Sequence, residues 1–393
     1  MKVKSLALLG STGSIGQTTV DIIKKTKQFK VLVLVANSNY LKIMNQITTL
    51  NPKGVIIHDL DTVHKIKKIH NFKKTIILND IKNLNKFVSK VDICISAIPG
   101  IAGLAPTLDF IKISKKILLA NKESIICGWN LIKKTATKYK THLIPIDSEH
   151  FSISELTKNY LNRDIEKIYI TASGGPFLKL KKSKFKNIKP VDAIKHPKWK
   201  MGKKISVDSA TLMNKVLELT EAIRLFPFDS NKYEILIHPQ SLVHAIVKLK
   251  NGTTFFLYHL PDMKIPISNA LFDSKFDYFK YFKNKNLDNF SCLNLEFFAV
   301  DKEKFSTIEL ISEMKKSDSA PIAINAINEI FVDEFLKNNI GFNDILAYLK
   351  LVLKDKDYIK SLNMPCSSIK NIYKIDTWAR NLAYKIIKKN KIK

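Results

Sequence analysis

The chain has 393 residues, 45% of them hydrophobic and 25% charged, with a formal net charge of +30. That length predicts two or three domains, and that composition a globular protein with a sizeable core. No stretch approaches the roughly 20 consecutive apolar residues of a membrane helix, so no membrane partner is expected.

The basic excess is almost all lysine; arginine occurs only at positions 163, 224 and 380. Nucleic-acid recognition leans on arginine for bidentate and stacked contacts. The lysines are also dispersed in short runs such as Lys24-Lys25, Lys67-Lys68, Lys181-Lys182 and Lys388-Lys389. No nucleic-acid partner is therefore expected, whereas attraction for small anionic substrates follows from the charge. Cys94, Cys127, Cys292 and Cys366 form no C-x-x-C pair and read as reduced thiols, not zinc ligands or a disulfide framework.

The N-terminal MKVKSLALL carries an apolar run of only about five residues before a glycine-rich loop, which reads as a first strand, not a signal peptide. A cytoplasmic location is expected. GSTGSIG and an amphipathic stretch follow, then the strand-like runs VLVLVAN, GVIIH, TIIL, VDICISAI, KKILLA and THLIPI, several separated by helical patterns. Alternation of strand and helix predicts a parallel sheet with right-handed crossovers. Residues 1–150 thus read as a Rossmann-like, doubly wound α/β domain. Residues 151–270 read as α+β: a helix over SATLMNKVLELTEAIRLF, then the strands EILIHP, SLVHAIVKL and TTFFLYHL in an antiparallel sheet, with a hairpin at Asn251-Gly252. Residues 271–300, rich in Phe, Lys and Asp, read as a linker. Residues 301–393 read as a C-terminal helical bundle.

Gly10, Gly13 and Gly16 give G-x-x-G-x-x-G between a strand and a helix, where backbone N–H groups can approach a pyrophosphate. NAD enzymes usually place an acid at the tip of the second strand. Here the tip holds Asn37, Ser38 and Asn39, with no acid, which favours NADP, although no Arg or Lys at the tip supports that choice.

PIDSEH places Asp147 and Glu149 two residues apart at the end of an apolar run. On an extended segment that spacing points both side chains to one face. The pair can be a general acid and base, a divalent metal site, or a solvated strand end. Asn214 and Glu218 are i, i+4 on one helical face, beside Lys215; an exposed polar face is the plain alternative. Asp147, Glu149 and Glu218 together would offer three hard oxygen ligands, which suit Mg²⁺ or Mn²⁺ and not zinc. Ser173, Ser209, Asn214 and Lys215 would form a phosphate-binding set without arginine. His196, Trp199 and Met201 lie in a Pro- and Gly-containing loop with the character of an active-site lid.

GSTGSIG, LANKES, PIDSEH, TASGGPF, HPKWKMGKKISVDSATLMNK and IHPQSLVHA, taken together and in order, resemble the 1-deoxy-D-xylulose 5-phosphate reductoisomerase family. NAINE at 325–329 resembles that family's helical domain. The resemblance implies an NADPH-binding domain, a catalytic and dimerisation domain and a helical domain, in a homodimer. It implies rearrangement of a phosphorylated sugar to an aldehyde, then reduction by NADPH to 2-C-methyl-D-erythritol 4-phosphate, in the non-mevalonate isoprenoid route. By motif match Asp147, Glu149 and Glu218 would hold the metal, Mg²⁺ or Mn²⁺. Lys122, Ser148 and Glu149 would contact the reacting end of the substrate. Ser173, His196, Ser209, Asn214 and Lys215 would hold the substrate and its phosphate, with Trp199 on a mobile lid. Thr12, Gly13, Ser14, Ile15, Asn37, Ser38, Asn39, Asn121, Glu123 and Gly202 would line the cofactor site.

Many relatives carry Gly-Lys-Asn where this chain has Asn37-Ser38-Asn39, so a weakened preference for NADPH over NADH is expected. Two rivals follow from the residues. The first is an NADP-dependent dehydrogenase of another phosphorylated substrate, which would need no metal. The second is a basic nucleotide-binding regulator, which would bind nucleic acid with a steep salt dependence.

Overall fold

The first apolar run folds as β1 (Lys4–Leu9), whose last four residues are buried. The computed structural model describes residues 3–69, 72, 74–82, 88–199, 201–282 and 294–391. After β1 come α1 (Ser14–Thr26), β2 (Phe29–Ala36), α2 (Tyr40–Leu50), β3 (Gly54–Ile57), α3 (Leu60–Ile69) and β4 (Ile76–Leu78). β5 (Val91–Ser96), α4 (Leu104–Ile111), β6 (Ser114–Leu119), α5 (Lys122–Tyr139) and β7 (His142–Pro145) complete the first sheet region. All seven expected strands form. They pair in parallel in the order β4-β3-β2-β1-β5-β6-β7. Helices cover both faces of such a sheet, which is why its strands read as unbroken apolar runs. The strand order reverses between β1 and β5. The crevice at the carboxyl ends there is the topological switch point of a doubly wound fold.

The chain continues with α6 (Ser148–Thr157), β8 (Ile165–Ala172), α7 (Pro190–Ala193), α8 (Lys203–Thr211) and α9 (Met213–Leu225), then β9 (Tyr233–Ile237), β10 (Val243–Leu249) and β11 (Thr254–Tyr258). α10 (Lys264–Leu271), α11 (Tyr278–Tyr281) and β12 (Phe298–Ala299) follow. The C-terminal helices are α12 (Leu310–Met314), α13 (Ser319–Leu336), α14 (Phe342–Leu353), α15 (Lys356–Ser361) and α16 (Ile369–Lys391).

The chain divides into two compact units whose segments interleave. The first comprises Met1–Ser124, Asn130–Phe151 and Asp262–Ser291, and the second Ile125–Trp129, Ser152–Pro261 and Cys292–Lys393. The contiguous boundaries read from sequence differ from this division. Residues 271–282, expected as linker, supply Leu271 and Phe282 to the same buried cluster as Leu6, Leu8, Ile22 and Leu34. Phe272 meets Phe29 edge-on at 5.2 Å between centroids. Of the rest of the expected linker, 283–293 lies outside the described residues, and 294–300 contains β12, which pairs with β9 through Phe298 and Ala299.

In the second unit a five-stranded sheet runs β11-β10-β8-β9-β12. It is mixed, not antiparallel as expected: β8 and β9 pair in parallel, with Ile168 beside Tyr233. Residues 173–232, which carry α7, α8 and α9, form the long crossover that a parallel pair requires. β10 and β11 form the expected hairpin, with Gly252 at φ +91°. Ile165, Ile168 and Ile170 pack with Leu219 and Ala222 of α9. The C-terminal helices belong to this same unit. α13 is buried over most of its surface, including Ile322, Ile324, Ile327 and Phe331. Among the described residues no helix is long and apolar enough to cross a membrane.

Candidate active site

The first unit gathers its polar loops at the carboxyl ends of the parallel strands. Gly10 turns the chain out of β1 at φ +79°, and a Cβ there would lie 2.5 Å from the Ala97 carbonyl oxygen. A Cβ on Gly16 would lie 2.4 Å from the Gly10 carbonyl oxygen, so α1 can approach β1 this closely only with glycine. Gly13 precedes α1 and no side chain caps that helix. The first-turn N–H groups over Ser14 and Ile15 are thus placed to receive an anion. Thr12, Gly13, Ser14 and Ile15 all belong to this turn. Asn37, Ser38 and Asn39 form the exposed tip after β2, where the Asn39 side chain caps α2 by accepting the Lys42 N–H at 3.1 Å. Asn121 caps α5: its Oδ1 accepts the Ser124 N–H at 2.5 Å, while its Nδ2 donates to the Ile98 carbonyl and to that of Gly100. Lys122 and Glu123 follow in the first turn of α5, both buried.

Asp147 and Glu149 do not lie on an extended segment. α6 begins at Ser148, with the Phe151 N–H bonded to the Asp147 carbonyl at 2.8 Å. The acidic pair therefore flanks a helix start, where the dipole favours negative charge. Asp147 Oδ2 lies 3.1 Å from Nδ1 of the fully buried His150, and Ser148 donates its hydroxyl to Glu149 at 2.5 Å.

The second unit holds the remaining candidates. Ser173 directly follows β8 and its Oγ sits 2.9 Å from His196 Nε2. His196 Nδ1 accepts the Trp199 N–H at 2.9 Å and the Lys198 N–H at 3.2 Å. Two donors on Nδ1 place the imidazole proton on Nε2, so that His196 donates to Ser173 Oγ. Gly175 also donates its N–H to that oxygen, at 3.1 Å. The Ser173 hydroxyl proton is then directed away from both, toward an acceptor. On α9, Lys215 donates to Glu218 Oε2 at 2.5 Å and Asn214 donates to Glu218 Oε1. Lys215 and Glu218 are buried, which excludes the plain exposed-face alternative. Ser209 stands in the last turn of α8, and Gly202 precedes that helix.

Burial, and then the nearby Lys215 ammonium, push the His196 pKa from 6.5 down to about 4. His196 is neutral throughout the physiological range. Between pH 6.5 and 4 the unfolded chain binds a proton that the folded chain refuses, so this residue lowers stability as pH falls through that window. The His196 ring-proton NMR titration is expected to show a midpoint far below 6.5. Lys215→Gln is expected to move that midpoint upward. A wild-type midpoint at the ordinary value would mean that the ring is not enclosed as described.

Several residues here were not singled out from sequence. Asp208, immediately before Ser209, is fully buried; it pairs with Lys204 at 2.8 Å and accepts from Asn328 Nδ2 of α13 at 2.9 Å. The indole of Trp199 meets the buried His244 ring edge-on at 6.0 Å, and His244 stacks on His259 at 4.0 Å. His150 and Asp208 lie inside motifs already quoted, which was the available signal. Asp147 and Glu149 belong to the first unit and Glu218 to the second.

Residues 6–128 match the family model of 1-deoxy-D-xylulose 5-phosphate reductoisomerase. Residues 143–226 and 259–382 match two models of C-terminal domains of the same enzyme. A 1-deoxy-D-xylulose 5-phosphate reductoisomerase of Pelagibacter ubique is 44% identical over 381 residues, 96% of this chain and 97% of that protein. One from a Wolbachia of Culex pipiens is 40% identical, covering 98% of each chain. A crystal structure of DOX-P reductoisomerase with NADPH, fosmidomycin and magnesium superposes with a TM-score of 0.89 at 34% identity, covering 99% of both chains. The Zymomonas mobilis enzyme in complex with NADPH superposes with a TM-score of 0.86 at 32% identity, over 98% of this chain and 99% of that one. The chain belongs to the 1-deoxy-D-xylulose 5-phosphate reductoisomerase family.

Proposed function

We propose that this chain converts 1-deoxy-D-xylulose 5-phosphate, NADPH and a proton to 2-C-methyl-D-erythritol 4-phosphate and NADP⁺, with a divalent cation, Mg²⁺ or Mn²⁺. The observation that carries this reading is family membership along nearly the whole chain, with each quoted motif in place. This is the reductoisomerase step of the non-mevalonate isoprenoid route.

The residues fit both groups. The bare glycine turn and the uncapped start of α1 suit a pyrophosphate, and the acid-free β2 tip suits a 2′-phosphate. Thr12 to Ile15, Asn37 to Asn39, Asn121, Glu123 and Gly202 would line NADPH. Asp147, Glu149 and Glu218 offer hard oxygens and would hold the cation. When bound, the cation supplies Lewis acidity toward the substrate oxygens, and NADPH supplies the hydride that reduces the rearranged aldehyde.

The chain's own groups do the rest. Lys122, Ser148 and Glu149 contact the reacting end, where the Lys122 ammonium balances oxyanion charge that develops as the carbon–carbon bond shifts. Ser173 turns its hydroxyl proton to a phosphate oxygen because His196 and Gly175 already donate to it. Ser209, Asn214 and Lys215 complete that grip. A neutral His196 serves it better than a charged one, because the Nδ1 lone pair must stay available for the Trp199 backbone. Binding energy gathered at the phosphate positions the distant carbons. Trp199 closes over the substrate and keeps water from the aldehyde.

A homodimer is part of this reading. β11 is an edge strand, and its Phe255 and Phe256 are 42% and 50% exposed, apolar surface of the kind that a second copy covers. The cytoplasm is the proposed compartment, in keeping with free thiols at Cys94 and Cys366.

The purified chain, given the sugar phosphate, NADPH and Mg²⁺, is expected to oxidise NADPH and form the branched product, identified by NMR. EDTA is expected to stop both. NADPH oxidation that survives EDTA, or yields an unbranched alcohol, would favour the plain dehydrogenase.

A further inference from the structure

We infer that Lys42 supplies the cation for the NADPH 2′-phosphate that the β2 tip itself lacks, a step that rests on the NADPH reading above. In a doubly wound fold the adenosine ribose lies between the glycine-rich loop and the tip of β2. That tip, Asn37-Ser38-Asn39, is exposed and carries no charge. Lys42 stands one helical turn beyond Ser38, in the first turn of α2. The Asn39 cap fixes that turn by accepting the Lys42 N–H.

Lys42 is exposed, but its side chain does not point straight away from the fold. Helical side chains lean toward the N-terminus of their helix, and Lys42 leans back until its Nζ lies 3.3 Å from the Thr12 carbonyl oxygen. Gln46, one turn further on, reaches the same loop and donates to the Ser11 carbonyl at 2.8 Å. One side of α2 therefore faces the glycine-rich loop, and Lys42 is its cation. Its ammonium lies between the two segments that would embrace the ribose.

Its bonding leaves it available. Among the described residues no carboxylate pairs with Lys42, and its bond to Thr12 uses one of three N–H donors. The nearby acid that follows β3, Asp59, is engaged elsewhere: its carboxylate accepts the Thr62 N–H at 2.8 Å and the Thr62 hydroxyl at 2.5 Å. No acid occupies the tip to bind a ribose 2′-hydroxyl in place of a phosphate. The loss of a lysine at position 38 is thus offset from position 42. The weakened NADPH preference expected from the tip alone is replaced by an expectation that the preference is retained.

The test uses the full chain and reads binding, not turnover. Calorimetric titrations with adenosine 2′,5′-bisphosphate and with adenosine 5′-monophosphate would be compared for wild type, Lys42→Gln, Lys42→Arg and Lys24→Gln. NADPH and NADH would be titrated by nicotinamide fluorescence. Lys24, on α1, reaches Asn45 at 3.4 Å and controls for loss of one positive charge. Lys42→Gln is expected to weaken the bisphosphate and NADPH by about tenfold, with the monophosphate and NADH changed by less than about twofold. Lys42→Arg is expected to restore most of the difference, and Lys24→Gln to leave it intact. An unchanged NADPH-to-NADH ratio in Lys42→Gln, or an equal loss for both nucleotides, would overturn the inference while leaving the cofactor reading standing. Wild-type chain that binds neither nucleotide would overturn both.

Discussion

Glu149→Gln is expected to lower kcat/KM for 1-deoxy-D-xylulose 5-phosphate by roughly 10² to 10³, while NADPH affinity stays near wild type. The substitution keeps the shape and removes one charge. The Ser148 hydroxyl, which donates to Glu149 at 2.5 Å, can still donate to the amide oxygen. The α6 start loses a favourable charge worth about 0.5 kcal/mol, too little to unfold the chain. Asp147→Asn would be harder to interpret, because Asp147 also faces the fully buried His150. Any loss there would mix a missing metal ligand with a disturbed buried pair. Glu149 separates the two. The measurement is steady-state turnover against Mg²⁺ concentration. A wild-type rate that depends on Mg²⁺, and a variant that recovers only at much higher Mg²⁺ or not at all, would fit a ligand. A variant with wild-type kcat/KM would mean that the pair is there for the helix start alone.

The strands of the first unit were legible for a physical reason. A parallel sheet covered on both faces needs apolar side chains at every position, and runs such as VLVLVA have no other stable place. The glycine turn was legible because Gly10 and Gly16 sit where a Cβ would strike backbone. Other features carried no local signal. The parallel pairing of β8 with β9 depends on where a crossover of about sixty residues returns, which alternation along a strand does not encode. The aromatic residues of 271–282 looked like loop composition, yet Phe272, Phe276 and Phe282 pack with the first-unit core. Asp208 and Asn328 meet across 120 positions of sequence, so nothing near either one announces the bond. For Asp147 and Glu149 the local backbone was not legible. The apolar run before them suggested that the strand continues, whereas a helix begins at Ser148. Lys42 gives no signal within the tip motif, because it lies a helical turn behind the three tip residues and reaches the glycine-rich loop only through the fold.

Gly175→Ala is expected to raise KM for the sugar phosphate by roughly 10², about the loss that a 1 Å misplacement brings. NADPH affinity should stay unchanged. Gly175 has φ +66°, and a Cβ there would lie 2.8 Å from the Ser209 carbonyl oxygen and 3.0 Å from Ala210 Cα. Both neighbours are backbone at the end of α8, so neither can swing aside as a flexible side chain does. The turn that carries Ser173 and the helix end that carries Ser209 must then separate. Those two serines are placed on the same phosphate in the reading above. Gly174→Ala is the matched control. It has φ +80° and bears the same left-handed cost of about 1 kcal/mol. The atoms nearest its new Cβ all belong to the Leu178 side chain, the first at 2.7 Å, and that side chain can rotate. Thermal melting and KM together separate the effects. Equal loss of stability in the two variants, with a rise in KM confined to Gly175→Ala, would tie the phosphate grip to the spacing between the turn and α8. A Gly175→Ala enzyme with wild-type KM would mean that Ser173 and Ser209 do not share one phosphate.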